Sequence, residues 1–154
     1  MVHLVSMKKV KRLFDQFKPT NYVLDLIPDK QNMTFTGKVV ISGHKTGRPS
    51  QRLTFHQKEL TIKNATVVYS GKNSKEEFTV DRINTHKAFD EVRLHANRLL
   101  YPGDYVITIE FSGVITRAMN GMYPCDFTHD SIDKTLIATQ FESHHAREAL
   151  PCID

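Results

Sequence analysis

Apolar and polar residues alternate with a period of two along most of the chain from Tyr22 onward. In TFTGKVVISG, apolar side chains occupy alternate positions from Phe35 to Ile41, and the same alternation runs from Tyr105 to Phe111. Shorter runs of this kind cover residues 22–26, 53–55, 60–69, 78–80, 92–94 and 136–139. Short strands separated by Gly, Pro and Asn are typical of an antiparallel sandwich or barrel. The pattern therefore predicts an all-β fold.

The beginning of the chain has a different pattern. Val10, Leu13, Phe14 and Phe17 are spaced as on one face of a helix, and Pro19 follows them. We expect residues 1–18 to form a basic leader or short N-terminal helix, and residues 19–154 to form one β domain. A helix this short offers little apolar area to a membrane, and no apolar run approaches the ~20 residues of a membrane span. No membrane partner is expected.

The net charge of +4 originates in this leader. Of the 21 basic and 17 acidic residues, five and one lie in residues 1–20, which leaves 16 of each sign in the rest of the chain. A nucleic-acid surface needs a basic stripe with aromatic residues between the charges. The sequence shows no such stripe in the body, so no nucleic-acid partner is expected.

The two cysteines, Cys125 and Cys152, are too few for a secreted disulfide framework and form no C-x-x-C pair. Whether they pair with each other stays open. The N-terminus does not resemble a signal peptide, because its basic residues follow the short apolar segment. We expect a cytoplasmic location.

The longest stretch without strand character is RAMNGMYPCDFTHDSID, residues 117–133. It is rich in Gly, Pro, Asp and Asn, and loops of this length in compact domains are usually functional or disordered. We expect a long loop directly before the last strand.

The chain contains no self-contained catalytic set. It has no G-x-S-x-G, no P-loop, no G-x-G-x-x-G and no H-E-x-x-H. A Cys/His zinc site or a cysteine nucleophile can be drawn on paper from Cys125, His129, His145 and Cys152. Their spacing lacks the regularity of structural zinc sites. His144 and His145 are adjacent, so we expect their side chains to point apart.

Gln140 and Glu142 stand at the end of the last strand-like run. Residues two apart in a strand share a face at roughly 7 Å, so both side chains would project together. A carboxylate beside an amide could bind a cation. The alternative is a strand that simply emerges into solvent.

The end of the chain, ATQFESHHAREALPCID, closely resembles the T-Q-x-E/Q…A-R…P-C-x-D signature of the aminopeptidase N and leukotriene-hydrolase group of gluzincin zinc metallopeptidases. Earlier segments resemble other elements of that family in the same order. They are PTNYVLDL, FTGKVVI, LYPGDY, IEFSG and GMY, and the resemblance covers roughly residues 19–154.

The resemblance implies a saddle-like antiparallel β-sandwich that precedes a thermolysin-like catalytic domain. It also implies that Glu142 binds the free α-ammonium group of a peptide substrate and that Gln140 helps to hold its first residue. Zinc would belong to the full-length enzyme, with none bound by this fragment. Arg147 and Asp154 would be structural and hold the turn beneath the site. The signature specifies nothing at positions 144 and 145, and we assign the two histidines no role.

We therefore expect the N-terminal substrate-binding domain of a cytoplasmic zinc aminopeptidase, inactive by itself because its catalytic domain is absent. The alternative is a stand-alone β-sandwich that serves as a binding or interaction module. A reading frame that continues after Asp154 with Glu-Pro and a later H-E-x-x-H would favour the enzyme.

Overall fold

The computed structural model describes residues 12–71 and 74–154. Within these residues ten strands form three antiparallel sheets. The strands are β1 (Phe17–Asp29), β2 (Thr34–Lys45), β3 (Ser50–His56), β4 (Thr61–Ser70), β5 (Lys75–Phe78), β6 (Val80–His86), β7 (Glu91–Leu100), β8 (Gly103–Val114), β9 (Gly121–His129) and β10 (Ile132–Gln140). The predicted all-β fold is confirmed.

The largest sheet has the strand order β1-β2-β8-β4-β5, a second sheet has the order β3-β7-β6, and β9 and β10 form a separate pair. Alternation along β8 explains its place at the centre of the first sheet. Tyr105, Ile107, Ile109 and Phe111 are all buried, whereas the residues between them are not. Period-two burial of this kind turns one face of a sheet toward a core.

The core joins the first two sheets. Phe17 of β1 packs edge to face against Phe55 of β3, with ring centroids 5.7 Å apart. Val92 and Leu94 of β7 are buried in the same cluster. Burying apolar surface between two sheets is the main favourable contribution to the stability of such a sandwich.

The N-terminal helix is shorter than the spacing of apolar residues predicts. In the part that the structure describes, Leu13–Asp15 forms one turn of 3-10 helix, and Phe17 already belongs to β1. Pro19 lies inside this strand, at the edge of its sheet, where its missing N–H is tolerated. Val10 lies outside the described residues.

The prediction of a long loop at residues 117–133 is wrong. More than half of this stretch forms β9, which pairs with β10 from Gly121–Gln140 to His129–Ile132. Its strand character is hidden in the sequence because β9 contains Pro124 and ends with four exposed residues. Pairing with β10 overrides that weak local preference.

Candidate functional site

The site predicted from the sequence lies at the open end of the β9–β10 hairpin. Asp130 and Ser131 form the two-residue turn at the other end, with φ of 52° and 58°. Positive φ at both central residues is the geometry that matches the twist of paired strands. The hairpin thus brings Gln140, the last residue of β10, opposite Gly121.

The two faces of the hairpin differ. Met122 is buried and Ile137 packs against the core on one face. The register of the pair places the exposed apolar side chains Phe127, Ile132 and Leu136 on the opposite face, together with Gln140. Gln140 therefore lies at the end of an exposed apolar face.

Gln140 and Glu142 do come together, but not as two side chains on one strand. β10 ends at Gln140, and Glu142 lies in the turn that follows. The backbone N–H of Glu142 donates a hydrogen bond to Oε1 of Gln140 at 3.3 Å. The expectation that both residues lie on one strand face is wrong, since the strand ends two residues before Glu142.

The carboxylate of Glu142 is available to a ligand. Glu142 is exposed, and among residues 12–71 and 74–154 its carboxylate accepts no hydrogen bond and forms no salt bridge. A carboxylate without a protein partner can accept several hydrogen bonds from an ammonium group, and the amide oxygen of Gln140 adds a neutral acceptor.

A polar cluster fixes the segment that follows this pair. Glu148 accepts hydrogen bonds from Lys58 Nζ at 2.9 Å and from Asn120 Nδ2 at 3.1 Å, and its carboxylate lies 3.0 Å from His145 Nδ1. Burial raises the pKa of Glu148, but the contacts of Lys58 and His145 outweigh it, so the pKa is lowered overall. The short 3-10 helix His145–Glu148 is thereby attached to the loop before β9.

Arg147 and Asp154 form a second anchor. The Arg147 guanidinium donates two hydrogen bonds to the Asp154 carboxylate, one of them from Nε at 3.1 Å. The Asp154 carboxylate also lies 3.0 Å from Nδ1 of His56. Burial first, and then Arg147, lower the pKa of His56 against the opposing effect of Asp154. These contacts fit the structural role expected for Arg147 and Asp154.

The backbone strengthens this anchor. His56 and Cys152 exchange two hydrogen bonds, of 2.7 Å and 3.0 Å, and the N–H of Lys58 donates to the carbonyl of Arg147 at 2.8 Å. Together they hold the C-terminal segment against the end of β3. A two-point ion pair and paired backbone hydrogen bonds restrict the conformations of the turn beneath Glu142.

The histidine pair departs from expectation. The rings of His144 and His145 stack with centroids 4.8 Å apart, so the prediction that they point apart is wrong. Adjacent residues can meet in this way because His144 precedes the 3-10 helix and has a non-helical backbone conformation. In the described part of the chain, no group of three or more His, Cys, Asp or Glu side chains could hold a metal ion.

Both cysteines are free thiols. Cys152 is buried, and burial raises the pKa of its thiol to about 12. A thiol with so high a pKa is almost entirely protonated near neutral pH and is a poor nucleophile. Cys152 is therefore a core residue, and the open question of a Cys125–Cys152 bridge is answered by two unpaired thiols.

Comparison with known proteins agrees with the resemblance seen at the end of the chain. The family model of the peptidase M1 N-terminal domain matches residues 18–154. The chain belongs to this family. No helix in the described part of this M1 N-terminal domain has the length and apolar character of a membrane span.

Relatives of this M1 N-terminal domain include aminopeptidases from bacteria and a mammal. Aminopeptidase N of Lactococcus lactis subsp. lactis is 39% identical over 146 residues, which cover 94% of this chain. Glutamyl aminopeptidase of Sus scrofa is 32% identical over 147 residues, or 93% of this chain. The chain spans 15% of the length of each of these relatives.

Three residues that support the site carry no signal in the sequence. Lys58, Asn120 and Glu148 hold the turn, yet they lie up to 90 residues apart in the chain. No local pattern connects them, because Lys58 and Asn120 are single polar residues in two different loops and Glu148 lies in the 3-10 helix near the end of the chain. Only the fold brings them together.

Proposed function

We propose that this chain is the N-terminal domain of a zinc metallo-aminopeptidase, and that Glu142 and Gln140 bind the N-terminus of its peptide substrate. The observation that carries the proposal is the exposed carboxylate of Glu142, which is unpaired in the described residues and lies on the turn directly before a 3-10 helix that two anchors hold in place. Membership of the M1 N-terminal domain family and the aminopeptidase relatives support the reaction class.

The chemistry of a peptide N-terminus suits this pair. An α-ammonium group carries a positive charge and three donors, and Glu142 supplies an ionic acceptor while Gln140 supplies a neutral one. An anion at a fixed distance from the reacting bond selects substrates with a free amine at that distance. Glu142 would therefore restrict cleavage to the first peptide bond.

The side chains of the described residues do not fit a zinc ion. They offer no group of three or more metal-binding side chains, so we assign the zinc of the proposed enzyme to a catalytic domain of the same polypeptide. That domain is also the proposed partner of the exposed apolar face of the hairpin, formed by Phe127, Ile132 and Leu136. Covering these side chains would remove apolar surface from water.

The chain by itself is proposed to be inactive. Incubation with Zn²⁺ and an aminoacyl-anilide should release no aniline above the background without protein. Turnover that follows the concentration of the chain would contradict the claim that the catalytic groups lie elsewhere.

The role of Glu142 is tested in the polypeptide that carries both domains. Glu142→Gln keeps the size of the side chain and removes its charge, so KM for an aminoacyl-anilide should rise by about tenfold or more. Glu110→Gln removes a carboxylate exposed on β8 and is the matched control. Equal KM values for the Glu142→Gln variant and the control would contradict the proposal.

We also propose a cytoplasmic location, supported by the two free thiols, since structural disulfides are rare in that compartment. Fractionation of cells that express the tagged full-length polypeptide tests it. Recovery in the soluble cytoplasmic fraction is expected, and recovery outside the cell would contradict it.

A further inference from the structure

A row of basic side chains crosses the three-stranded sheet. Arg52 of β3 and Arg82 of β6 are both in register with His95, which lies between them on β7. Arg52 and Arg82 thus place positive charges on both strands that flank His95, and like charges at nearby positions of a sheet repel each other. In the described part of the chain, neither arginine forms a salt bridge that would offset this repulsion.

One end of this row opens into a cavity of about 420 Å³. Its lining includes four basic or titratable side chains, Lys45, Arg48, Arg52 and His95, and we call it the cationic cavity. Among the described residues, Asp15 is the acidic one that lines it, so their permanent charges at the cavity are three positive and one negative.

Lys45 is buried, and among residues 12–71 and 74–154 it has no acidic partner. It is 4% exposed, and its ammonium group donates to the carbonyls of Arg48 at 2.9 Å and Thr46 at 3.4 Å. Burial lowers the pKa of Lys45. A buried cation that contacts only neutral carbonyls favours an anion nearby.

His95 is also short of acceptors. Its Nδ1 lies 3.5 Å from Nη2 of Arg82, and its Nε2 has no hydrogen-bond partner in the residues that the structure describes. Burial first, and then Arg82, Arg52 and Arg93, hold the pKa of His95 below its usual range. His95 is therefore flanked by a cationic side chain on each neighbouring strand, Arg52 on β3 and Arg82 on β6.

We propose that the cationic cavity binds an oxyanion, either a carboxylate or a phosphate group. Guanidinium groups bind both through paired N–H donors, and Arg48 and Arg52 both line the cavity. The proposal concerns a different part of the molecule from Glu142 and does not depend on the aminopeptidase function.

The test is a titration of the isotope-labelled chain with inorganic phosphate, followed by NMR at constant ionic strength. Saturable shifts are expected at the backbone amides of Arg48, Gln51 and Arg52. The double variant Arg48→Gln/Arg52→Gln should raise the dissociation constant by about tenfold or more. Lys63→Gln, which removes an exposed positive charge on β4, should change it by less than about twofold.

A second titration uses a blocked penta-glutamate peptide and distinguishes the source of the oxyanion. Tighter binding of phosphate indicates a small-molecule site, and tighter binding of the peptide indicates an acidic protein segment. The proposal is overturned if neither probe causes saturable shifts at the cavity, or if the double variant binds both probes as the unchanged chain does.

Discussion

Gln140 accepts, through its side-chain oxygen, a hydrogen bond from the backbone N–H of Glu142 at 3.3 Å. This contact orients the amide toward the turn and leaves the Glu142 carboxylate exposed. The 3-10 helix that follows the turn is held in place by Glu148 with Lys58 and by Arg147 with Asp154. The proposed binding residues thus depend on contacts with distant parts of the chain.

Gly121→Ala should destabilise the domain by about 1–3 kcal/mol. Gly121 has φ of +63°, and an added Cβ would lie 2.9 Å from Cβ of Glu148. Gly47 has φ of +72° with nothing within 4 Å of an added Cβ, so Gly47→Ala carries the backbone cost alone. Urea unfolding should give a larger loss for Gly121→Ala. Equal losses would show that the contact with Glu148 does not constrain this position.

Lys58→Met removes the ion pair with Glu148 and should lower the free energy of unfolding by about 1 kcal/mol at neutral pH. The expected loss is small because Lys58 is partly exposed and water screens its charge. Arg117→Met removes a partner of Asp126 in a more exposed pair and should leave stability unchanged within error. Urea unfolding of both variants measures the difference. If the two variants lost the same stability, the anchoring role of the Lys58–Glu148 pair would be refuted.

The loss in Lys58→Met should depend on pH. The pKa of Glu148 is lower in the folded state than in the unfolded state. Its contribution to stability is therefore fully present above the unfolded-state pKa and is lost as pH falls through the folded-state pKa. The difference between Lys58→Met and the unchanged chain should therefore shrink as pH falls below about 4.5. A difference that stays constant down to about pH 3 would contradict this assignment.

Native thiol labelling should modify Cys125 well before Cys152. Cys152 is buried, with a pKa raised to about 12, whereas Cys125 is partly exposed. Iodoacetamide followed by peptide mass spectrometry should show alkylation at Cys125 first, and both sites should react in urea. Equal labelling rates in the native chain would be incompatible with the burial of Cys152.

Strong alternation makes the central strands predictable. The pattern places Tyr105, Ile107, Ile109 and Phe111 on one face, and all four are buried. β9 is not predictable in this way, because its pairing with β10 is a tertiary contact that compensates for Pro124. Local patterns thus predict strands that bury one face and fail where a strand depends on its partner.

The site shows the same division. The motif around them marks Gln140 and Glu142 as candidate binding residues in the sequence. The residues that contact Glu148 and those that line the cationic cavity belong to no such motif. The equal numbers of basic and acidic residues in the body of the chain do not show which of them lie together in the fold. The row of Arg52, His95 and Arg82 comes from three strands, and only the register of the sheet aligns it.

The binding of a substrate amine by Glu142 is measured most directly by comparing two ligands in the polypeptide that carries both domains. Leucine and isocaproate, which is leucine without its amine, are tested as inhibitors of aminoacyl-anilide hydrolysis in the unchanged enzyme and in Glu142→Gln. We expect leucine to inhibit more strongly than isocaproate, and Glu142→Gln to reduce this preference by about tenfold or more, or about 1.4 kcal/mol. A preference for leucine that is unchanged in Glu142→Gln would contradict this role of Glu142.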